Sequence, residues 1–149
     1  MRTIYNPAIA RLGGNGVGPR NQIKMFNSAG SFDWVVPANI DPQVPVLARV
    51  WGAGGACGLR SSSTGNGHGG GGGGLAMSEI PVSALTIGAA VSLIVGLGAQ
   101  SHAGAGGTSS FGAFLSATGG NSGFNAADNQ GAAVLGVGGI GVGGDINRR

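Results

Sequence analysis

GNGHGGGGGG (residues 65–74) runs without a break into LAMSEI (75–80). Gly69, Gly70, Gly71, Gly72, Gly73 and Gly74 are consecutive. Glycine gives up more backbone freedom on folding than any other residue and brings no side chain to a core. The run is therefore either a flexible tether or a place where backbone must lie directly against backbone.

Composition favours the second reading. Glycine supplies 34 of 149 residues and proline 6, a level that by itself suggests low complexity. Yet 42% of the residues are hydrophobic and only 9% charged, the reverse of a disordered chain. The length suits one domain. An ordered, glycine-heavy globule is expected.

Outside the glycines the signals are short β-type runs bounded by turn residues, and apolar residues nowhere recur at helical spacing over three turns. The runs are 32–36, 44–51, 75–80, 85–87 and 91–97, with weaker ones at 111–117 and 132–137. In 44–51, Val46, Ala48 and Val50 share one face, and Leu47, Arg49 and Trp51 the other. The expected fold is all-β, a glycine-rich sandwich with extended polyglycine-type segments. Residues 1–30 are basic and broken by Gly and Pro, and read as an N-terminal arm ahead of a glycine-rich β domain at 31–149.

Five segments, 52–58, 65–74, 96–107, 118–123 and 136–144, hold far more glycine than a turn needs. Such segments suit the extended left-handed helix of three residues per turn, which makes no hydrogen bonds within itself. Buried backbone groups need partners. Several such helices side by side supply them, because without Cβ atoms the backbones can approach and bond laterally.

Charge and motifs exclude much. The eight basic residues are scattered and few aromatics lie between them, unlike a nucleic-acid surface. The 21 uncharged residues 80–100 could span a bilayer by length, but Pro81, Gly88, Gly96 and Gly98 favour two short strands joined at Gly88-Ala89, with no membrane insertion. The opening residues hold no apolar core of signal-peptide length, so no classical export is expected. Cys57 between Ala56 and Gly58 reads as a small buried residue, and His68 and His102 lack the partners of a metal site. GVGGIG (136–141) matches a dinucleotide fingerprint, but eight residues remain after it, where a helix and a distant acid would be needed. HGGG (68–71) lacks the nucleophile elbow of an esterase. No catalysis, cofactor or metal is expected. Trp34, Trp51, Phe111 and Phe114 read as core or interface packing, and Thr108, Ser109 and Ser110 as turn residues.

The order of the pieces carries more than any one of them. FDWVVPANI, VLARVWGAGGACG, GGGGGGLAMSEIPVSAL, SLIVGLGAQ, GGTSSFGAFLSATGG and GGDIN, over residues 31–147, together resemble the glycine-rich domain of tailed-bacteriophage tail-fibre and tail-tip proteins. The sharpest part is Gly106–Gly112 with Ala117–Gly120. VGLGAQS stands where that family more usually has Val-Gly-Ala-Gly-Gly. The resemblance implies a virion tail protein, assembled in the host cytoplasm, that contributes to host-surface recognition. A complete adhesin and a short module docked on another tail protein both fit.

Polar loop tips on a rigid scaffold are the natural contact sites. They nominate Arg60, Ser61, Ser62, Asn66, His102, Asn121, Asn125, Asp128 and Asn129 for a receptor or partner. Expected partners are other tail proteins through the arm, host surface polysaccharide or an outer-membrane protein, and further copies of the chain. Uncharged edges need covering, and tail fibres in general are trimeric. The alternatives are a purely architectural virion component without receptor contact, and a cell-wall-type glycine-rich structural protein.

Overall fold

The structure, a computed structural model, describes residues 23–58, 68–102, 104–123 and 136–148, the side chains of 147 and 148 excepted. It is all-β. The strands are β1 (Gly30–Val35), β2 (Val46–Trp51), β3 (Leu75–Ile80), β4 (Ala90–Val95), β5 (Ser109–Phe111), β6 (Leu115–Ala117), β7 (Gly141–Val142) and β8 (Ile146–Arg148). They form two antiparallel sheets, β1-β4-β5-β6-β7 and β2-β3-β8, facing each other as a sandwich.

Period-two alternation builds the core. Along β2, Ala48 and Val50 are buried while Leu47, Arg49 and Trp51 are exposed, the division the sequence implies. Val36, Ala76, Ile80, Leu85, Leu93, Phe111, Leu115 and Ala117 complete a single cluster. Trp34 is half-buried against Phe111, their rings 5.7 Å apart, and the Phe114 ring lies 6.1 Å from that of Phe111. Trp51 instead lies 58% exposed, because its place on β2 is the outward one. Residues 1–22 of the expected arm lie outside the described residues, and Phe26, within it, packs 5.4 Å from Phe32.

Two local expectations differ from what forms. Residues 85–87 are not a strand: a single 3-10 turn, Val82–Ala84, sinks Val82 and Leu85 into the sandwich and leads through Gly88 to β4. Residues 111–117 are a hairpin rather than one strand, since Gly112 turns the chain with φ 51°, a left-handed value that glycine adopts without strain. β7 and β8 have no counterpart among the expected strands, and residues 132–135 lie outside the described ones. Ser109 sits in β5, where its hydroxyl accepts the Gly96 amide at 2.9 Å.

The antiparallel order has a topological consequence. β2, β4 and β6 all run toward one end of the sandwich, and β3, β5 and β7 all leave from it. The described parts of the glycine segments, apart from residues 141–144, are connections at that end. They form an array of two layers with three segments in each.

The first layer is 96–99 beside 52–58 beside 68–74. Ala99 N–H donates to Gly54 C=O, and Gly52, Gly55 and Gly58 donate to Gly74, Gly71 and His68. The second layer is 104–107 beside 118–123 beside 136–140. Gly106 donates to Gly120, and Thr118 and Asn121 donate to Ile140 and Val137. Between layers, Ala53 and Ala56 donate to Gly107 and Gly104, Gly120 and Gly123 to Ala53 and Ala56, Gly71 and Gly74 to Asn121 and Thr118, and Gly136 and Gly139 to Gly69 and Gly72. These bonds are 2.8–3.2 Å long.

Partners change direction with a strict period of three, the repeat of the extended left-handed helix. Within the six-glycine run the consequence is uneven. A Cβ on Gly70, Gly71, Gly73 or Gly74 would collide with the backbone of a neighbouring segment, whereas one on Gly69 or Gly72 would meet nothing within 4 Å.

Candidate functional site at the far end of the glycine array

Each pair of segments leaves the sandwich and returns to it, so the array ends in the connections 59–67, 100–103 and 124–135. The residues where these begin and end are joined to one another. Gly58 N–H bonds His68 C=O at 2.8 Å, Gly123 N–H bonds Ala56 C=O at 2.9 Å, and Ala56 N–H bonds Gly104 C=O at 2.9 Å. Gly136 N–H reaches Gly69 C=O at 2.9 Å, and Gly104 N–H closes the third connection on Ser101 C=O at 3.1 Å. The bases of all three connections therefore stand side by side on a stiff backbone platform. Its stiffness has a physical cause: few large side chains come between the segments, and their backbones are hydrogen-bonded to neighbouring ones.

Of the nine residues the sequence nominates, Arg60, Ser61, Ser62, Asn66, Asn125, Asp128 and Asn129 lie outside the described residues. His102 and Asn121 lie within them, both exposed. His102 stands at the platform's end. Asn121 is held by its backbone, donating to Val137 and accepting from Gly71, and its side chain faces outward from the second layer. The structure does not bring these two side chains together.

It does bring His102 to Cys57, with Nδ1 3.7 Å from Sγ. Cys57 is exposed and free, not buried as its small neighbours suggest. The period of three explains this: residues 51, 54 and 57 share one outward direction, and Trp51, Gly54 and Cys57 are all exposed. That spacing is present in the sequence, but it becomes a signal only once the segment is known to be a three-residue helix. Among the described residues no group of three or more His, Cys, Asp or Glu could hold a metal, and no helix is long and apolar enough to cross a membrane.

One electrostatic feature lies at the β3–β8 side of the sandwich. Asp145 accepts the Ser78 hydroxyl at 2.7 Å and the Glu79 amide at 3.2 Å. These bonds, the Ser78 one foremost, favour the carboxylate and hold its pKa below the ordinary 3.8.

Comparison with known proteins gives no match: no family model, no curated protein and no solved structure is significantly similar to the chain. The functional reading rests on the chain's own geometry and its ordered motifs.

Proposed function

We propose that the chain is a structural protein of a bacteriophage tail fibre or tail tip that contributes to recognition of the host surface. The observation that carries this reading is the platform, where the two-layer array gathers the bases of three polar connections at one end, away from the sandwich. A receptor-binding module needs variable contact residues held in fixed relative positions, and a scaffold joined by backbone hydrogen bonds keeps such positions independent of what the tips contain. The motif order resembling tail-fibre and tail-tip domains supports the same reading. Host surface polysaccharide or an outer-membrane protein is the receptor class proposed, and the virion tail the location.

The test is binding of fluorescently labelled protein to a panel of bacterial cells and to arrayed surface polysaccharides. Exchanging residues 60–66 and 124–130 for unrelated polar sequences, which spares the Asn121 and Gly123 bonds of the array, should redirect or abolish binding with thermal unfolding unchanged. If the exchanges leave cell binding intact and disrupt assembly with tail components instead, the protein is architectural and the recognition role falls.

A further inference from the structure

The array has two broad outer faces, and they differ in one respect. On the second layer the outward positions are Ala105, Thr108, Thr118, Asn121, Val137 and Ile140, all exposed and none a glycine. On the first layer they are Gly54, Cys57, Gly69, Gly72, Gly98 and Ser101, also exposed, and four of the six are glycine. Nothing among the described residues requires this. A Cβ added to Gly54, Gly69, Gly72 or Gly98 would meet no atom within 4 Å, and none of the four has the left-handed φ that excludes side chains. Alanine there would remove unfolded-state freedom and stabilise the fold. Glycine where the fold has room for a side chain points to close approach from outside.

The chemistry of this face says what approaches. The three-residue repeat turns the amides of Gly54, Cys57, Gly70 and Gly73 and the carbonyls of Gly52, Gly55, Gly70 and Gly73 away from the array. None of them makes a backbone hydrogen bond among the described residues. Donors and acceptors thus alternate along bare ridges with the spacing that the interior segments use to bind one another. The matching surface is another set of three-residue glycine helices.

We propose that this first-layer face is a self-association surface, on which a second copy of this chain stacks face to face about a two-fold axis. Size supports the choice. From residue 46 to residue 57 the outer surface continues from β2 into the array, with Trp51 beside Leu75 at the junction and Leu47 and Ile146 exposed on the sheet. Its length is about 36 Å, from rises of about 3.4 Å and about 3.1 Å per residue. Three chains about 4.8 Å apart make it roughly 500 Å² in projection. Corrugation by Leu47, Trp51 and Ile146 brings that toward the about 800 Å² per partner of a specific interface. The glycine strip alone would be too small, and the continuation onto the sheet, where Arg49 and Glu79 share the face with Leu47, Met77 and Trp51, supplies the rest. The contact is isologous, so it closes on itself as a pair.

Sedimentation of the full chain over a wide concentration range tests this. A reversible dimer is expected, weakened about tenfold or more by Gly54→Glu with Gly72→Glu, and unaffected by Val137→Glu on the opposite face. At concentrations too low for self-association the first-layer variant should unfold at or near the wild-type temperature, because the added side chains point into open space. Amide exchange of Gly54 and Cys57 in the unaltered protein gives an independent reading: protection should rise with protein concentration. A monomer at all concentrations overturns the proposal, as does a dimer or trimer indifferent to Gly54 and Gly72, or exchange that ignores concentration. A wild-type monomer whose polysaccharide binding is lost in the first-layer variant also overturns it, and would make the face a ligand surface. Loss of cell binding after exchange of 60–66 or 124–130 leaves this proposal untouched, so the two readings fail separately.

Discussion

Adjacent glycines of the same run should respond to alanine with opposite signs. Gly71 is buried, and its Cβ would stand 2.5 Å from the Val137 carbonyl carbon and 3.0 Å from the Gly136 carbonyl oxygen, closer still to the Val137 oxygen. Those are backbone atoms of a hydrogen-bonded segment and cannot swing aside like a side chain. Relief requires the 68–74 and 136–140 segments to part. That endangers the bonds joining those two segments, Gly136 N–H to Gly69 C=O at 2.9 Å and Gly139 N–H to Gly72 C=O at 2.8 Å. Two such bonds at about 1 kcal/mol each, with about 1–3 kcal/mol more for a buried group left unpaired, put Gly71→Ala at about 3 kcal/mol or more. In the dissociated chain, at low protein concentration, Gly72→Ala meets open space, keeps the Gly139 bond to its carbonyl, and should gain about 0.4–1 kcal/mol through the unfolded chain. At about 2–4 °C per kcal/mol for a chain of this size, Gly71→Ala should melt about 6–12 °C lower and Gly72→Ala about 1–4 °C higher than wild type. Differential scanning calorimetry of the three proteins reads this directly. Equal shifts, or a Gly71→Ala that melts at or above wild type, would refute the layered packing of the run.

Two further outcomes follow from the sandwich. Leu115 is 2% exposed at the centre of the cluster, so Leu115→Ala should lower the unfolding free energy by about 2–5 kcal/mol in urea titration, and an unmoved midpoint would contradict its place in the core. Asp145, with its pKa lowered in the folded state, stabilises fully above its ordinary value and loses that contribution as pH falls through the lowered one. The gap in unfolding midpoint between wild type and Asp145→Asn should hold steady above about pH 5 and close as the pH drops below about 4, whereas a gap of constant size down the acid range would dissociate Asp145 from Ser78 and Glu79.

Period two is local chemistry, and it was legible. Val46, Ala48 and Val50 against Leu47, Arg49 and Trp51 identify β2 and its buried face from the chain alone, and the limits of 75–80 coincide with β3. Apolar composition with little charge favours an ordered glycine tract over a disordered one, and the need of backbone groups for partners leads to laterally bonded glycine helices. What escaped depended on partners distant in sequence. Residues 111–117 read as a run of apolar and small residues, and only pairing of Phe111 with Leu115 makes Gly112 a turn. Nothing in GV or INR announces a strand; β7 and β8 exist because β6 and β3 offer them edges.

The same division runs through the candidate site. Polar connections between glycine segments can be picked out by composition, and so Arg60, His102 and Asn125 were nominated without a structure. That all three connections leave from one platform follows from strand parity, which requires the order of both sheets. Within the run, six identical residues carry no local information about which of them is enclosed. Gly71 and Gly72 differ only because a three-residue helix points one at the 136–140 segment and the other at open space. The sequence by itself determined that backbone would pack against backbone. Tertiary structure alone decided which glycines must remain glycine, because a Cβ is excluded only by the neighbour it would strike.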